Sequence, residues 1–269
     1  MSQGSTVEAL TLAVAAQVPV LLWGAPGTGK TSAITAMADA MGWPCETVIA
    51  AIREPSDFAG LPIVRESEVE MAPPRWAQRL AAAGRGLLFL DEISTAPPAV
   101  QAALLRVVLE RVVGDLALPP DVVVVAAANP PEQAADGWDL AAPLANRFCH
   151  LDWVVDPSAL AQGLAGGWDA PEVPNLPDGW EAGIPATRGV ISAFITVRPG
   201  LALDLPTDAA RSGRGWPSPR TWDMVARLWT AARAAEASTE AETALITGAV
   251  GDGAGIELLM WEMEMDLPD

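Results

Sequence analysis

Over the first 155 positions, apolar residues gather in five short runs, at 18–23, 46–51, 86–90, 122–128 and 149–154. Continuous apolar strands of this length are covered on both faces, as in a parallel sheet between helices. The stretches 31–41, 76–83 and 98–112 between them carry helical propensity, and the alternation predicts an α/β domain with a five-stranded parallel sheet flanked by helices. Near Asp156 the pattern changes. A segment rich in Pro, Gly and Trp runs from 166 to 185, and beyond it 186–197, 219–235, 240–250 and 256–263 read as helices. The expected organisation is a core at 1–155, a linker at 156–185 and a small all-helical lid at 186–269, without an internal repeat.

One junction in this pattern carries chemistry. The run Val18-Pro19-Val20-Leu21-Leu22-Trp23 meets Gly24-Ala25-Pro26-Gly27-Thr28-Gly29-Lys30-Thr31-Ser32, and a helix ending at Gly42 comes next. Strand, glycine loop and helix in that order form a phosphate cradle, because glycines let backbone N–H groups turn toward phosphate oxygens and the helix N-terminus adds positive potential. Lys30 is the only lysine of the chain, so a compact ammonium stands at the one place where it is needed and arginine serves everywhere else. It is expected to reach the β- and γ-phosphates of ATP, with the Thr31 hydroxyl offered to Mg²⁺.

Two further runs end in polar groups. Leu87-Leu88-Phe89-Leu90 delivers Asp91 and Glu92 to the C-terminal rim of the sheet, where ligands of open α/β sheets gather. Asp91 is expected to hold Mg²⁺ and Glu92 to polarise the water that attacks the γ-phosphate. The run 122–128 delivers Asn129, followed by Pro130 and Pro131, which stop further pairing. Asn129 is placed to bond the γ-phosphate or the attacking water.

With these motifs in hand, the chain resembles the AAA+ ATPases and, within them, the MoxR family. The resemblance identifies 24–31 as the phosphate loop, 87–92 as the Walker B strand and Asn129 as sensor 1. Leu144-Ala145-Asn146-Arg147-Phe148 matches the arginine-finger region, and Ser218-Pro219-Arg220-Thr221 matches sensor 2. It also makes 54–76 the helix-2 insert, a loop-like segment whose apolar Leu61, Ile63, Val64, Met71 and Trp76 would engage a client. The resemblance implies a Mg-dependent ATPase in a homo-oligomeric ring, hexameric in similar proteins, that remodels or activates a partner carrying a von Willebrand factor A domain. In such rings Arg147 reaches the γ-phosphate of the neighbouring subunit; a local pair with Asp152 is the alternative. Arg220, a cation at a helix start, needs an anion to motivate it, and phosphate is the expected one. Arg106 and Arg111 are further candidates for the intersubunit face. A chelatase-like motor for metal insertion and an ATP-gated assembly scaffold are the competing functions.

Composition narrows the partners. Thirty-four Asp and Glu against 16 Lys and Arg leave a formal charge of -18, which disfavours nucleic acid. Two cysteines, Cys45 and Cys149, make no disulfide framework, and no apolar run has the length of a membrane span or a signal peptide, so the cytoplasm is the expected compartment. His150 beside Cys149 on a strand would face the opposite way, which argues against a shared metal. Most of the 11 tryptophans are expected in the core, with Trp138, Trp168 and Trp180 in loop contexts. The acidic end, 257–269, is expected to begin as a packed amphipathic helix.

Overall fold

The computed structural model describes residues 3–65, 67–130 and 138–265. In chain order, α1 (Gln3–Ala15) leads to β1 (Val20–Trp23), the glycine loop, α2 (Lys30–Met41) and β2 (Cys45–Ile49). Then come α3 (Ser56–Ala59), the hairpin β3 (Leu61–Arg65) and β4 (Glu68–Ala72), α4 (Arg75–Ala83), β5 (Arg85–Asp91) and α5 (Pro98–Glu110). A small hairpin of β6 (Val112–Val113) and β7 (Leu116–Ala117) precedes β8 (Asp121–Ala128), α6 (Ala142–Ala145) and β9 (Cys149–Asp152). The remainder is helical: α7 (Pro157–Gly166), α8 (Ile184–Val197), α9 (Ala209–Ser212), α10 (Pro219–Ala234), α11 (Thr239–Val250) and α12 (Asp252–Met265). Pro131 and residues 266–269 lie outside the described residues.

The five apolar runs pair in parallel in the order β2-β5-β8-β1-β9. Register places Trp23 opposite both Ala128 and Asp152, and Leu90 opposite Ala126. Gly24, Glu92, Asn129 and Trp153 therefore leave the sheet along one rim.

Alternation along the strands divides the core into two layers. Leu21, Leu88, Leu90, Val122, Val124 and Ala126 face α4 and α5 through Trp76, Leu80, Val100 and Leu104. Val20, Leu22, Phe89, Val123, Val125 and Leu151 face α1 and α2, and this layer runs on without a break into Phe194, Trp222, Leu228, Trp229 and Leu245 of the C-terminal helices. Helix α1 is the bridge, contributing Leu10, Leu12 and Val14. The helical lid is thus packed on one sheet face. Its approach to the edge strand is close: a Cβ on Gly248 of α11 would stand 2.3 Å from the His150 carbonyl oxygen.

The expected linker starts as a helix. Asp156 accepts from the Ser158 N–H at 2.8 Å and Pro157 occupies the first turn, so Asp-Pro-Ser is a helix start that composition concealed. The segment 54–76 also departs from its loop-like reading. β3 and β4 pair antiparallel, with Leu61 opposite Ala72 and Arg65 opposite Glu68, and Ser67 adopts φ 75° beside the turn. Trp76 and Phe58 do not face outward; both are buried, with ring centroids 6.3 Å apart. Leu61, Val64 and Val69 are the exposed apolar groups of the hairpin.

Among the tryptophans, Trp222 and Trp229 are buried, their indoles donating to the Leu201 carbonyl and the Glu242 carboxylate, while Trp138 and Trp168 are exposed. Among the described residues, no helix is long and apolar enough to cross a membrane.

Candidate nucleotide-binding site

The glycine loop owes its path to two left-handed turns, φ 75° at Gly27 and 87° at Gly29, which a side chain would strain. Gly29 precedes α2 without a side-chain cap, so the first N–H groups of that helix are left for a ligand. Thr28 Oγ1 ties the loop internally by donating to the Ala25 carbonyl at 2.7 Å. Pro26, Gly27, Gly29, Thr31 and Ser32 are exposed along the open side.

Lys30 is nearly buried, and its Nζ donates to the carbonyls of Gly24 at 2.5 Å and Ala25 at 3.0 Å and to Asn129 Oδ1 at 3.2 Å. Burial lowers its pKa, against which the charges of Asp91 and Glu92 act. Two neutral carbonyls and one amide leave this ammonium short of an anion, which a phosphate oxygen would supply.

The predicted metal site is built of hard oxygens. Thr31 Oγ1 donates to Asp91 Oδ2 at 3.0 Å, bringing a hydroxyl and a carboxylate from different elements to one point. That donor set suits Mg²⁺, which takes oxygen ligands and is held by one or two protein groups alongside phosphates. Asp91 Oδ1 is occupied by the Glu92 N–H at 3.0 Å. Glu92 sits in the left-handed region at φ 56°, exposed at the strand end, a conformation that costs a non-glycine residue about 1–3 kcal/mol. The next turn is braced by Thr95 Oγ1 donating to the Glu92 carbonyl at 2.9 Å, and Ser94 Oγ reaches the Asn129 carbonyl at 3.4 Å.

The two predicted phosphate-sensing arginines converge on a different place. Arg147 follows α6; its Nη1 donates to the Pro143 carbonyl, and its Nε is buried without a partner. Arg220, in the first turn of α10, donates through Nη1 to Asn146 Oδ1 at 3.3 Å. Arg147 has its pKa lowered by burial and then by the charge of Arg220. Among the described residues no carboxylate forms a salt bridge with either. Asp152 pairs with Arg214 at 2.7 Å instead of Arg147. Arg106 pairs with Glu110 one turn on, and Arg111 donates to the Pro120 carbonyl, so both have local partners.

Three supporting residues escaped sequence reasoning. Asn146, 2% exposed, accepts from Ser218 Oγ at 3.0 Å and from Arg220, and donates to the Trp216 carbonyl at 3.3 Å, joining the elements of both arginines. Gln101, 2% exposed, donates to the carbonyls of Ala96 and Asp139 and accepts the Ala141 N–H at 2.8 Å. Its amide on the apolar face of α5 was the available signal. Trp153 donates from Nε1 to the Thr28 carbonyl at 3.0 Å. His150, by contrast, has both nitrogens engaged: Nδ1 accepts from Trp23 Nε1 at 2.8 Å and Nε2–H meets the Ala145 carbonyl at 2.9 Å.

Two solved structures align over most of the chain. One, a candidate ATPase from Cytophaga hutchinsonii, has a TM-score of 0.56 at 17% identity, covering 96% of this chain and 88% of that one. Another, a full-length MCM homolog from Methanopyrus kandleri, has a TM-score of 0.50 at 19% identity, covering 97% of this chain and 55% of that one. At these identities the likeness speaks for the fold alone. A search of curated proteins gave no match. Residues 19–150, which hold every one of the predicted site residues except Arg220, match the model of the ATPase family associated with various cellular activities (AAA).

Proposed function

We propose that the chain is a MoxR-type AAA ATPase that hydrolyses ATP in a homo-oligomeric, hexameric ring and uses the cycle to remodel or activate a partner protein, one with a von Willebrand factor A domain. The observation that carries the hydrolytic part is a pair of contacts at one rim, Lys30 Nζ to Asn129 Oδ1 at 3.2 Å and Thr31 Oγ1 to Asp91 Oδ2 at 3.0 Å, with Glu92 next to Asp91 in the chain. The loop amides and Lys30 bind the β- and γ-phosphates, and Asn129 orients the γ-phosphate or the water. Thr31 and Asp91 would hold Mg²⁺, which when bound offsets phosphate charge. Glu92 accepts the proton of the water whose oxygen attacks the γ-phosphorus as the bond to the β-bridging oxygen breaks, giving ADP and phosphate.

Support for the ring comes from Arg147 and Arg220, two cations without a carboxylate partner among the described residues, which would meet a neighbour's γ-phosphate. Support for client engagement comes from the hairpin. Its base is tied to the turn between β6 and β7, with the Met71 N–H donating to Asp115 Oδ2 at 2.7 Å, while Leu61, Val64 and Val69 are exposed. The test is ATP-dependent phosphate release by the purified protein, followed by capture of copurifying proteins with Glu92→Gln. A parent protein that binds ATP yet releases no phosphate, alone or with a captured partner, would sink the motor reading.

A further inference from the structure

We propose that Trp153 is a positioning residue that holds the phosphate loop in its phosphate-receiving shape. The inference rests on the nucleotide-binding reading above and adds a part to it. Trp153 follows the edge strand β9 and touches the loop at both ends. At the start, its backbone N–H donates to the Trp23 carbonyl at 2.6 Å, and a Cβ on Gly24 would stand 2.7 Å from its carbonyl oxygen and 3.0 Å from its Cβ. Further along, its indole N–H donates to the Thr28 carbonyl at 3.0 Å. The residue as a whole is 4% exposed and belongs to the apolar layer that faces α1 and α2, so the donor has little freedom to wander.

The direction of that bond matters. In a trans peptide the C=O and the following N–H point opposite ways. Tying the Thr28 carbonyl back to Trp153 therefore turns the Gly29 N–H away from the protein, toward the open side where Thr31 and Ser32 lie exposed. Without the tie, the Thr28–Gly29 peptide is free to rotate between two left-handed glycines, and the receptive shape becomes a fraction of the population. Apparent affinity falls by that fraction. One neutral hydrogen bond sets the ceiling at about tenfold.

The experiment compares the parent with Trp153→Phe, which keeps an aromatic ring and deletes the donor, and with a protein carrying 3-benzothienylalanine at position 153, which keeps the bicyclic shape and replaces N–H by sulfur. ADP affinity by calorimetry, KM and kcat for ATP, and Tm are measured on each. The expected result is ADP binding about 3- to 10-fold weaker, KM raised in step, kcat at saturating ATP unchanged, and a Tm for the sulfur analogue close to the parent's. If Trp153→Phe does not fold, the analogue alone decides. Unchanged ADP affinity in a folded variant, or a fall in kcat with KM unmoved, overturns the positioning role and leaves the nucleotide site standing. A parent that binds no ADP overturns both.

Discussion

Arg147 and Arg220 stand close enough for the charge of one to act on the other, and both lie next to the same buried amide, Asn146. On the proposed reading, these two cations, with no carboxylate paired to them among the described residues, receive an anion from a neighbouring subunit. If a neighbour's γ-phosphate is that anion, turnover rises with protein concentration. Arg147→Ala and Lys30→Ala proteins, each inactive, would regain activity on mixing, because hybrid interfaces pair an intact loop with an intact arginine. The loss in Arg147→Ala alone is expected at about 10³-fold or more. Phosphate release against concentration and mixing ratio checks this, and no rescue between variants that still assemble would count against it.

On the proposed mechanism, Lys30 and Glu92 act at different stages and separate accordingly. Lys30→Ala removes an ammonium that faces the phosphates in the ground state, so ATP affinity falls. Glu92→Gln keeps the shape and removes the base; ATP stays bound while turnover falls by about 10²-fold or more. Equilibrium nucleotide binding beside steady-state phosphate release gives both readings, and parental turnover in Glu92→Gln would take Glu92 out of the chemistry.

The hairpin makes a prediction of the opposite kind. Leu61, Val64 and Val69 are exposed, and Arg65 pairs with Glu70 at 3.3 Å on the surface. Replacing the three apolar groups by Ser, or reversing Arg65 and Glu70, is expected to change stability by no more than about 0.5 kcal/mol per site and to leave basal hydrolysis intact. Client capture by pull-down is the property that falls. Unchanged capture and stimulation would move the recognition surface off the hairpin.

His150 predicts an acid limb of stability. Burial first, then the charge of Arg214, lowers its pKa from 6.5 to about 4, opposed by the Ala145 hydrogen bond and by Asp152. The unfolded chain therefore takes the proton first as pH falls. The neutral imidazole contributes its full stability above pH 6.5, and that contribution is lost as pH falls through the window down to about 4, by about 3 kcal/mol in all. Denaturant midpoints for the parent and for His150→Gln across pH 4–7 are expected to show the parent losing ground relative to the variant as pH drops. A constant difference would mean that His150 does not titrate this way.

The candidate site was legible because its parts are local. A glycine loop between a strand and a helix, two carboxylates at the end of an apolar run and an Asn before proline need only spacing along the chain, and the register then carries Gly24, Glu92 and Asn129 to one rim. The lid helices were legible for the same reason, since periodicity is a property of consecutive residues. By contrast, the pairing order β2-β5-β8-β1-β9, the seating of α11 on β9 and the unbroken apolar layer from α1 into α10 arise between residues far apart in the chain. Spacing could nominate Arg220 for phosphate, but only packing could set it beside Asn146 and Arg147. Trp153 was one of eleven tryptophans until the parallel register brought it under Thr28. Local order along the chain determined what chemistry is present, and long-range packing decided which groups share a site, because a side chain's partner is chosen by the burial of the elements that carry it.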